Sequence, residues 1–410
     1  MYSRAHSAII IRMRAKRILK AAAVAAITAA IVCAAGCSYI VDGIDVSGYA
    51  PVALSTYEYF GCETYVAVYT DGASERERLE TLWREEILPE LEAVDMSLSA
   101  YSDPSDGSVA RFNAAAPGET VEIDGYAYDT LVMCAEVYAD TNGAFNPATA
   151  RSLDLWGFTD RFLNGSYTPT EDYDREDPHT QLPDEEYVTA FARLAESFAD
   201  VELYEKDGRY YAVKPADGSV TVNGKEYSLE LELGGIGKGV AADAVAAALE
   251  RAGFHFGYVS VGGSSLVMLR NAARMTDGHN GQFDVSVVDP YSGGHYYRYY
   301  CSGTGVSTSG NYRNYYDYEG VRYSHIIGTD GVPYDTGIVA ASVFGRSAAL
   351  CDAYTTALCV LGMEDGAAVA FAQKLDGYDA VFVYDDGKSR YVYTEVNGEL
   401  IGSGYTEVEF

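Results

Sequence analysis

The chain has 410 residues, 48% of them hydrophobic, and a formal net charge of −31. That is ample for a sizeable core in one or two domains. A surface so acidic repels nucleic acid and anionic membranes, so no nucleic-acid partner is expected, and any anionic ligand needs a metal or a local basic group to offset the field.

The first 36 residues read as an export signal. Arg4, Arg12, Arg14, Lys16, Arg17 and Lys20 precede an apolar run from Ala21 to Ala35, which closes in Ala34-Ala35-Gly36-Cys37. A basic start, a short apolar core and small residues describe such a signal, and the run is short for a transmembrane span. A cysteine after small residues looks like a bacterial lipoprotein signal, with Cys37 lipidated as the mature N-terminus. On that reading the protein is lipid-anchored at the cell membrane, on its extracytoplasmic face; an ordinary secretory signal or an uncleaved anchor is the alternative. Removing residues 1–36 takes away six basic groups and no acidic ones, leaving 23 basic against 60 acidic groups, a net −37. Cys62, Cys134, Cys301, Cys351 and Cys359 have no metal-type spacing and read mainly as buried thiols, with one disulfide left open.

Ser38 to about Thr56 reads as a tether or a short leading strand, which divides the chain into a signal (1–36), a tether (37–56) and one folded domain (57–410). Tyr57 to Tyr69 alternates as a strand, interrupted at Phe60-Gly61-Cys62. Ser74 with Glu77 makes a capping box, and Leu79, Leu82, Trp83, Ile87, Leu91 and Val94 form a helical stripe bent at Pro89. Leu98-Ser99-Ala100-Tyr101 and a polar loop run into Arg111-Phe112-Asn113, and a second helix spans Tyr126 to Thr141, stopped by Asn142-Gly143. Gly143-Ala144-Phe145-Asn146-Pro147 then leads to Leu155-Trp156-Gly157-Phe158, and residues 160–187, acidic and proline-containing, read as an exposed insertion.

Ala190 to Phe198 reads as helix, and Val201 to Leu231 as short strands with hairpin signals at Asp207-Gly208, Asp217-Gly218 and Asn223-Gly224. The run Leu233-Gly234-Gly235-Ile236-Gly237-Lys238-Gly239 joins strand-like Tyr227 to Leu233 to an alanine-rich helix ending at Gly253. Such a turn brings backbone groups close to a phosphate or a metal, although glycines at a helix start are common for conformational reasons alone. Strands Gly257 to Val261 and Phe283 to Val288 follow, the first ending in Val261-Gly262-Gly263-Ser264, and the tyrosine-rich Tyr291 to Tyr300 reads as an edge strand. Asp352 and Thr356 stand four residues apart in a run whose apolar positions Leu350, Ala353, Ala357, Leu358 and Leu361 recur at helical spacing and which Gly362 closes. Both oxygens therefore share a helical face, where a carboxylate and a hydroxyl can grip one hard cation; the plainer alternative is a hydroxyl bonded to its own turn. A short helix near Ala367 and a hairpin at Asp386-Gly387 end the chain. Helices and strands intermix without a repeat, giving one α+β unit.

With these elements placed, the chain resembles the ApbE family, the FAD:protein FMN transferases, from about Tyr57 to its end. The resemblance rests on six ordered motifs: Leu98 to Tyr101 with Arg111-Phe112-Asn113; Gly143-Ala144-Phe145 with Leu155 to Phe158; Glu232 to Gly239 with Asp243; Val306 to Gly310; His325-Ile326-Ile327; and Asp352 to Ala357. It implies a T-fold-like mixed domain that binds FAD and a divalent cation, usually Mg²⁺, cleaves the pyrophosphate, attaches FMN through a phosphoester to a Thr or Ser of another protein and releases AMP. Carried over by position, the metal ligands are the Asp352 carboxylate, the Thr356 hydroxyl and the Gly235 carbonyl, and the flavin contacts are Phe60, Tyr101, Trp156, Gly157, Phe158, Glu232, Lys238 and His325. The chain departs from the family pattern in having Glu232 for an aspartate, Phe60 for a methionine and Gly328-Thr329 for Asp-Pro. A histidine titrating near neutrality can take the proton of an attacking hydroxyl, which makes His325 the candidate base beside Asp352. The implied acceptor is a separate extracytoplasmic protein with an FMN-binding domain, in an electron-transfer system. Two other readings stay open on the same residues: an FAD pyrophosphatase giving FMN and AMP, and a flavin-binding lipoprotein without turnover.

Overall fold

The computed structural model describes residues 49–159, 182–272, 281–333, 335–394 and 398–410. The export signal, Cys37 and residues 160–181 of the acidic segment lie outside the described residues. Strand β1 (Tyr49–Thr56) pairs antiparallel with β2 (Thr64–Asp71) over its full length, from Tyr49 opposite Asp71 to Thr56 opposite Thr64. Of the two readings of residues 38–56, the short leading strand holds for 49–56, so the sheet starts ahead of Tyr57, and Phe60-Gly61-Cys62 is the connection between two strands. Phe60 and Gly61 take φ of 57° and 60°, which lets the chain reverse there.

Helices α1 (Gly72–Leu82) and α2 (Leu88–Leu98) form one rod through a π-helical turn at Trp83–Ile87. Pro89 has no amide hydrogen, and its ring crowds the carbonyl four residues back; the wider turn, in which Leu88 N–H reaches Trp83 O, accommodates it. The cap lies earlier than Ser74: Asp71 is the N-cap residue, and its amide donates to Glu75 at 2.7 Å. After α3 (Ser108–Ala114) and β3 (Thr120–Ile123), α4 (Gly125–Asp140) is capped by Asp124, whose carboxylate accepts from Ala127 N–H and from the Ser97 and Ser108 hydroxyls. It stops where Asn142 and Gly143 turn to φ 52° and 86°.

Next come α5 (Ala150–Leu155), α6 (Glu185–Glu196), β4 (Glu202–Lys206), β5 (Arg209–Val213), β6 (Ser219–Val222) and β7 (Lys225–Ser228). Asp207-Gly208 and Asn223-Gly224 make the expected hairpins, whereas Asp217-Gly218 links two separate small sheets. Helix α7 (Gly237–Arg251) leaves the glycine run, followed by β8 (Gly257–Val261), β9 (Ser265–Met268), β10 (Phe283–Val288), β11 (His295–Cys301) and β12 (Thr304–Gly310). The hairpin β13 (Tyr315–Tyr318) and β14 (Val321–Ser324) precedes β15 (Ile338–Gly345), α8 (Ala348–Leu361), α9 (Ala367–Ala372), β16 (Tyr378–Asp385), β17 (Arg390–Thr394), β18 (Gly398–Leu400) and β19 (Thr406–Glu409).

Nine strands make the main sheet, in the order β1-β2-β8-β9-β12-β15-β16-β17-β19. Its inner strands are buried on both faces: on β16, Ala380 and Phe382 join the core beneath the helices, while Val381 and Val383 join a second core against the three-stranded sheet β10-β11-β18. Each large apolar side chain so enclosed contributes about 1.5–3 kcal/mol over exposure. The tyrosine-rich strand is accordingly not an edge. β11 is central in its sheet, and Tyr296 and Tyr297 are fully buried, the Tyr297 hydroxyl meeting Thr394 Oγ1 at 2.9 Å. A third core holds Trp156, Tyr187, Phe191, Tyr227 and Tyr323. All described residues fall in one α+β unit. Among them the five cysteines are free, and no helix is long and apolar enough to cross a membrane.

Candidate functional site

The glycine run is held from below. Asn113, at the end of α3, treats Leu231 as a strand would: its Nδ2 donates to Leu231 O at 2.9 Å and its Oδ1 accepts from Leu231 N–H at 2.7 Å. One residue on, Glu232 N–H donates to Pro147 O at 2.7 Å, and the Glu232 carboxylate turns back to accept Gly234 N–H at 2.9 Å. Two amides, of Ile236 and Gly237, then close on Leu233 O and start α7.

Helix α8 is fixed at its first turn. Ser347 caps it by accepting Leu350 N–H, and the Asp243 carboxylate of α7 accepts from Ser347 Oγ at 2.8 Å, Ala348 N–H at 2.9 Å and Ala349 N–H at 3.1 Å. Burial pushes the Asp243 carboxyl above its ordinary range, and those three hydrogen bonds pull the other way. Two glycines let the surroundings close in. A Cβ on Gly239 would lie 2.3 Å from Ala348 O, and one on Gly305 of β12 would lie 2.4 Å from Ala348 N.

One turn further, Asp352 is 3% exposed. Its Oδ1 accepts from Ser307 Oγ of β12 at 2.8 Å and its Oδ2 from Gly239 N–H at 3.3 Å; Ser265 Oγ stands 3.2 Å from Ser307 Oγ. Thr356 Oγ1 does bond its own turn, at 3.2 Å from Asp352 O, yet it also faces the glycine run, 3.3 Å from where a Cβ of Gly235 would stand. A hydroxyl donating to its own backbone keeps its lone pairs for another partner. Ser309 Oγ, 2.8 Å from Thr355 Oγ1, extends the polar row.

These groups open into a cavity of about 670 Å³, the size range of sites for small ligands. Of the residues singled out by sequence, Tyr101, Phe158, Glu232, Gly235, Lys238, His325, Asp352 and Thr356 line it. Lys238 Nζ donates to Gly234 O at 2.8 Å. His325 stands in the wall with its Nδ1 3.2 Å from Asn314 O, and the Phe158 ring meets its edge at 6.5 Å between centroids. Desolvation beside the cavity wall holds the His325 pKa below its ordinary value, the residue itself staying exposed; the bond to Asn314 O opposes this and the Lys238 charge adds to it.

Phe60, Trp156 and Gly157 are not among the lining residues. Phe60 sits in a turn pinned by its own N–H to Asp95 Oδ1 at 3.1 Å, and nearby Cys62 Sγ lies 3.1 Å from where a Cβ of Gly262 would be. Trp156 is 4% exposed, donates from Nε1 to Gly331 O at 2.8 Å and stacks on Tyr323 at 5.2 Å. It packs the β13–β14 hairpin from which His325 follows, and Gly157, with φ 80°, turns the chain toward Phe158. The residues that sequence reasoning left without a role are the partners of Asp352, namely Ser265 and the Gly239 amide, and the clamp residues Asn113 and Asp243. Arg313 and the β10 wall, Val285 to Val288, also escaped notice. Short polar residues on strands carry no periodic signal, so only the folded geometry marks them.

A model of the ApbE family matches residues 60–382. The chain belongs to the ApbE family. It is 27% identical to the FAD:protein FMN transferase of Klebsiella pneumoniae over 298 residues, covering 72% of this chain and 75% of that protein. It is 26% identical to the FAD:protein FMN transferase of Vibrio cholerae over 377 residues, covering 88% and 94%. Among solved structures, the fold is similar to the apo form of the flavinyl transferase ApbE of Pseudomonas stutzeri, with TM-score 0.64 and 24% identity over 86% of this chain and 96% of that one. The ApbE protein of Thermotoga maritima gives TM-score 0.63 at 22% identity, over 83% and 96%.

Proposed function

We propose that this ApbE-family chain is an FAD:protein FMN transferase that moves FMN from FAD onto a Thr or Ser hydroxyl of another protein and releases AMP. The observation that carries the reading is the convergence of Asp352, Thr356 and Gly235, from α8 and the glycine run, on one cavity that Lys238, His325 and Phe158 also line. The names of the relatives supply the reaction; the cavity supplies residues able to perform it.

In the step envisaged, the acceptor hydroxyl oxygen bonds to the phosphorus of the FMN half. The bond from that phosphorus to the bridging oxygen breaks, AMP leaves with the electron pair, and the hydroxyl proton passes to the His325 imidazole. His325 suits the task because a pKa below the ordinary histidine value favours the neutral ring that can accept a proton. Lys238 offsets phosphate charge, and the Phe158 ring offers a flat face to the flavin.

The donor set fits magnesium: one carboxylate, one hydroxyl and one carbonyl, all hard oxygens. Three protein ligands leave positions for phosphate oxygens. When bound, the ion supplies positive charge to those oxygens. With Cys37 lipidated, the enzyme would work at the extracytoplasmic face of the cell membrane on a flavoprotein of an electron-transfer system; the basic, apolar, small-residue order of residues 1–37 supports this.

Asp352→Ala separates an enzyme from a flavin binder, which would keep most of its FAD affinity, and the wild-type products separate transferase from pyrophosphatase. The transferase loses metal-dependent turnover while the protein still folds. Unaltered turnover would end the proposal, and FMN and AMP accumulating in solution with no modified acceptor would put the pyrophosphatase in its place.

A further inference from the structure

The cavity holds a cation that the reading above leaves unused. Arg313 lines it, two residues beyond Asn311 and one before Asn314. Both flanking residues are pinned: Asn311 N–H donates to Val339 O at 3.1 Å and Asn311 Nδ2 to Asp335 Oδ1 at 3.1 Å, while Asn314 O takes the His325 amide at 3.1 Å. The backbone at Arg313 is therefore fixed on the wall that carries His325. Its guanidinium is not committed: among the described residues its one contact of note is the Tyr312 ring, 5.7 Å from centroid to Cζ.

Several other arginines among the described residues already have carboxylate partners. Arg151, Arg209, Arg298, Arg322 and Arg390 each sit in an ion pair with a carboxylate, and Lys238, also in the cavity, is bonded to Gly234 O. In a chain of net charge −31, Arg313 lines the cavity without a carboxylate partner among the described residues. The long-range field disfavours an anionic ligand, so one that enters needs compensation close by. A guanidinium presents a planar fork of donors that matches two oxygens of a phosphate.

We infer that Arg313 binds the diphosphate of FAD, holding the nucleotide so that the phosphorus to be attacked lies toward His325. The inference rests on the proposed function and assigns a residue to its anionic substrate. Phosphate recognition separates it from packing: the arginine matters for flavins that carry phosphate and not for riboflavin.

The test is equilibrium titration of flavin fluorescence, without acceptor protein, on wild type, Arg313→Gln and Arg313→Lys with riboflavin, FMN and FAD. Losing a charged, two-pronged contact weakens FAD binding about ten- to a hundredfold. Riboflavin affinity is unchanged, Arg313→Lys falls between, and the salt dependence of FAD binding becomes shallower in Arg313→Gln. Thermal melts followed by circular dichroism show the variant folded, as expected for an exposed side chain. Equal FAD affinity in Arg313→Gln and wild type overturns the inference, as does an equal loss for riboflavin and FAD. Wild type binding none of the three flavins would instead sink the proposed function, and this inference with it.

Discussion

The contact between α7 and α8 sets the position of Asp352, and Gly239→Ala attacks it directly. The new Cβ would stand 2.3 Å from Ala348 O, 2.5 Å from Ala348 C and 2.6 Å from Ala349 Cα, all backbone atoms that cannot swing aside. Ordinary contact begins near 3.4 Å, so the two helices must separate by about 1 Å, an overpacking strain of about 3 kcal/mol. The same shift lengthens the Gly239 N–H to Asp352 Oδ2 bond, already 3.3 Å, and misplaces the carboxylate. A misplacement of about 1 Å is enough to lower turnover by about a hundredfold. Gly208→Ala is the control: its φ is +76° with nothing within 4 Å, so it carries only the left-handed strain of about 1 kcal/mol, far from the cavity. Urea melts of both variants, with flavin transfer measured beside them, decide the matter. If Gly239→Ala proved no less stable than Gly208→Ala and kept wild-type turnover, the close packing of α7 on α8 would not be what positions Asp352.

Asp243→Ala removes the two oxygens that accept three hydrogen bonds in the first turn of α8, those of Ser347 Oγ and the Ala348 and Ala349 amides; a loss of about 2 kcal/mol is expected in the same melts, with transfer reduced because Asp352 lies one turn on. His325 gives a pH signature. Its folded pKa is held below the ordinary histidine value of about 6.5, so the neutral base persists as pH falls and the acid limb of kcat/KM lies below that value. The linked stability has the same sign: the folded state favours the neutral ring, so this contribution is present above the unfolded pKa and is lost as pH falls through the window down to the folded one. His325→Ala should abolish the limb along with most of the transfer, and near-normal transfer in that variant would remove the histidine from the mechanism.

The helices and the core of the site were legible because their signals are local. Asp352 and Thr356 share a face by the geometry of one helix, bounded by Ser347 and Gly362, and the glycine run opens helix α7 as expected, although the strand before it is shorter than Tyr227 to Leu233, since β7 ends at Ser228. What escaped depends on distant partners. β11 pairs with β18 through Tyr297 and Leu400, a hundred residues apart in sequence, and a strand of seven residues with four tyrosines looks solvent-facing until its rings meet Phe344 and Val383. Trp156 illustrates a limit of residue type: an indole stacks equally well on a bound ring or on Tyr323, and only the fold shows that it does the latter. Residues 49–56, a short run with Pro51 in it and mostly not buried, became a strand because β2 offers a free edge on the side away from β8.

The central claim is group transfer at the Asp352 cavity, and mass spectrometry of an acceptor FMN-binding domain tests it most directly. The domain is incubated with FAD, Mg²⁺ and this protein lacking residues 1–36, and again with EDTA added. The account predicts an FMN-sized mass gain on a Thr or Ser, with AMP appearing in equal amount, and neither with EDTA nor with Asp352→Ala. An acceptor of unchanged mass beside intact FAD that stays bound to the protein would contradict it.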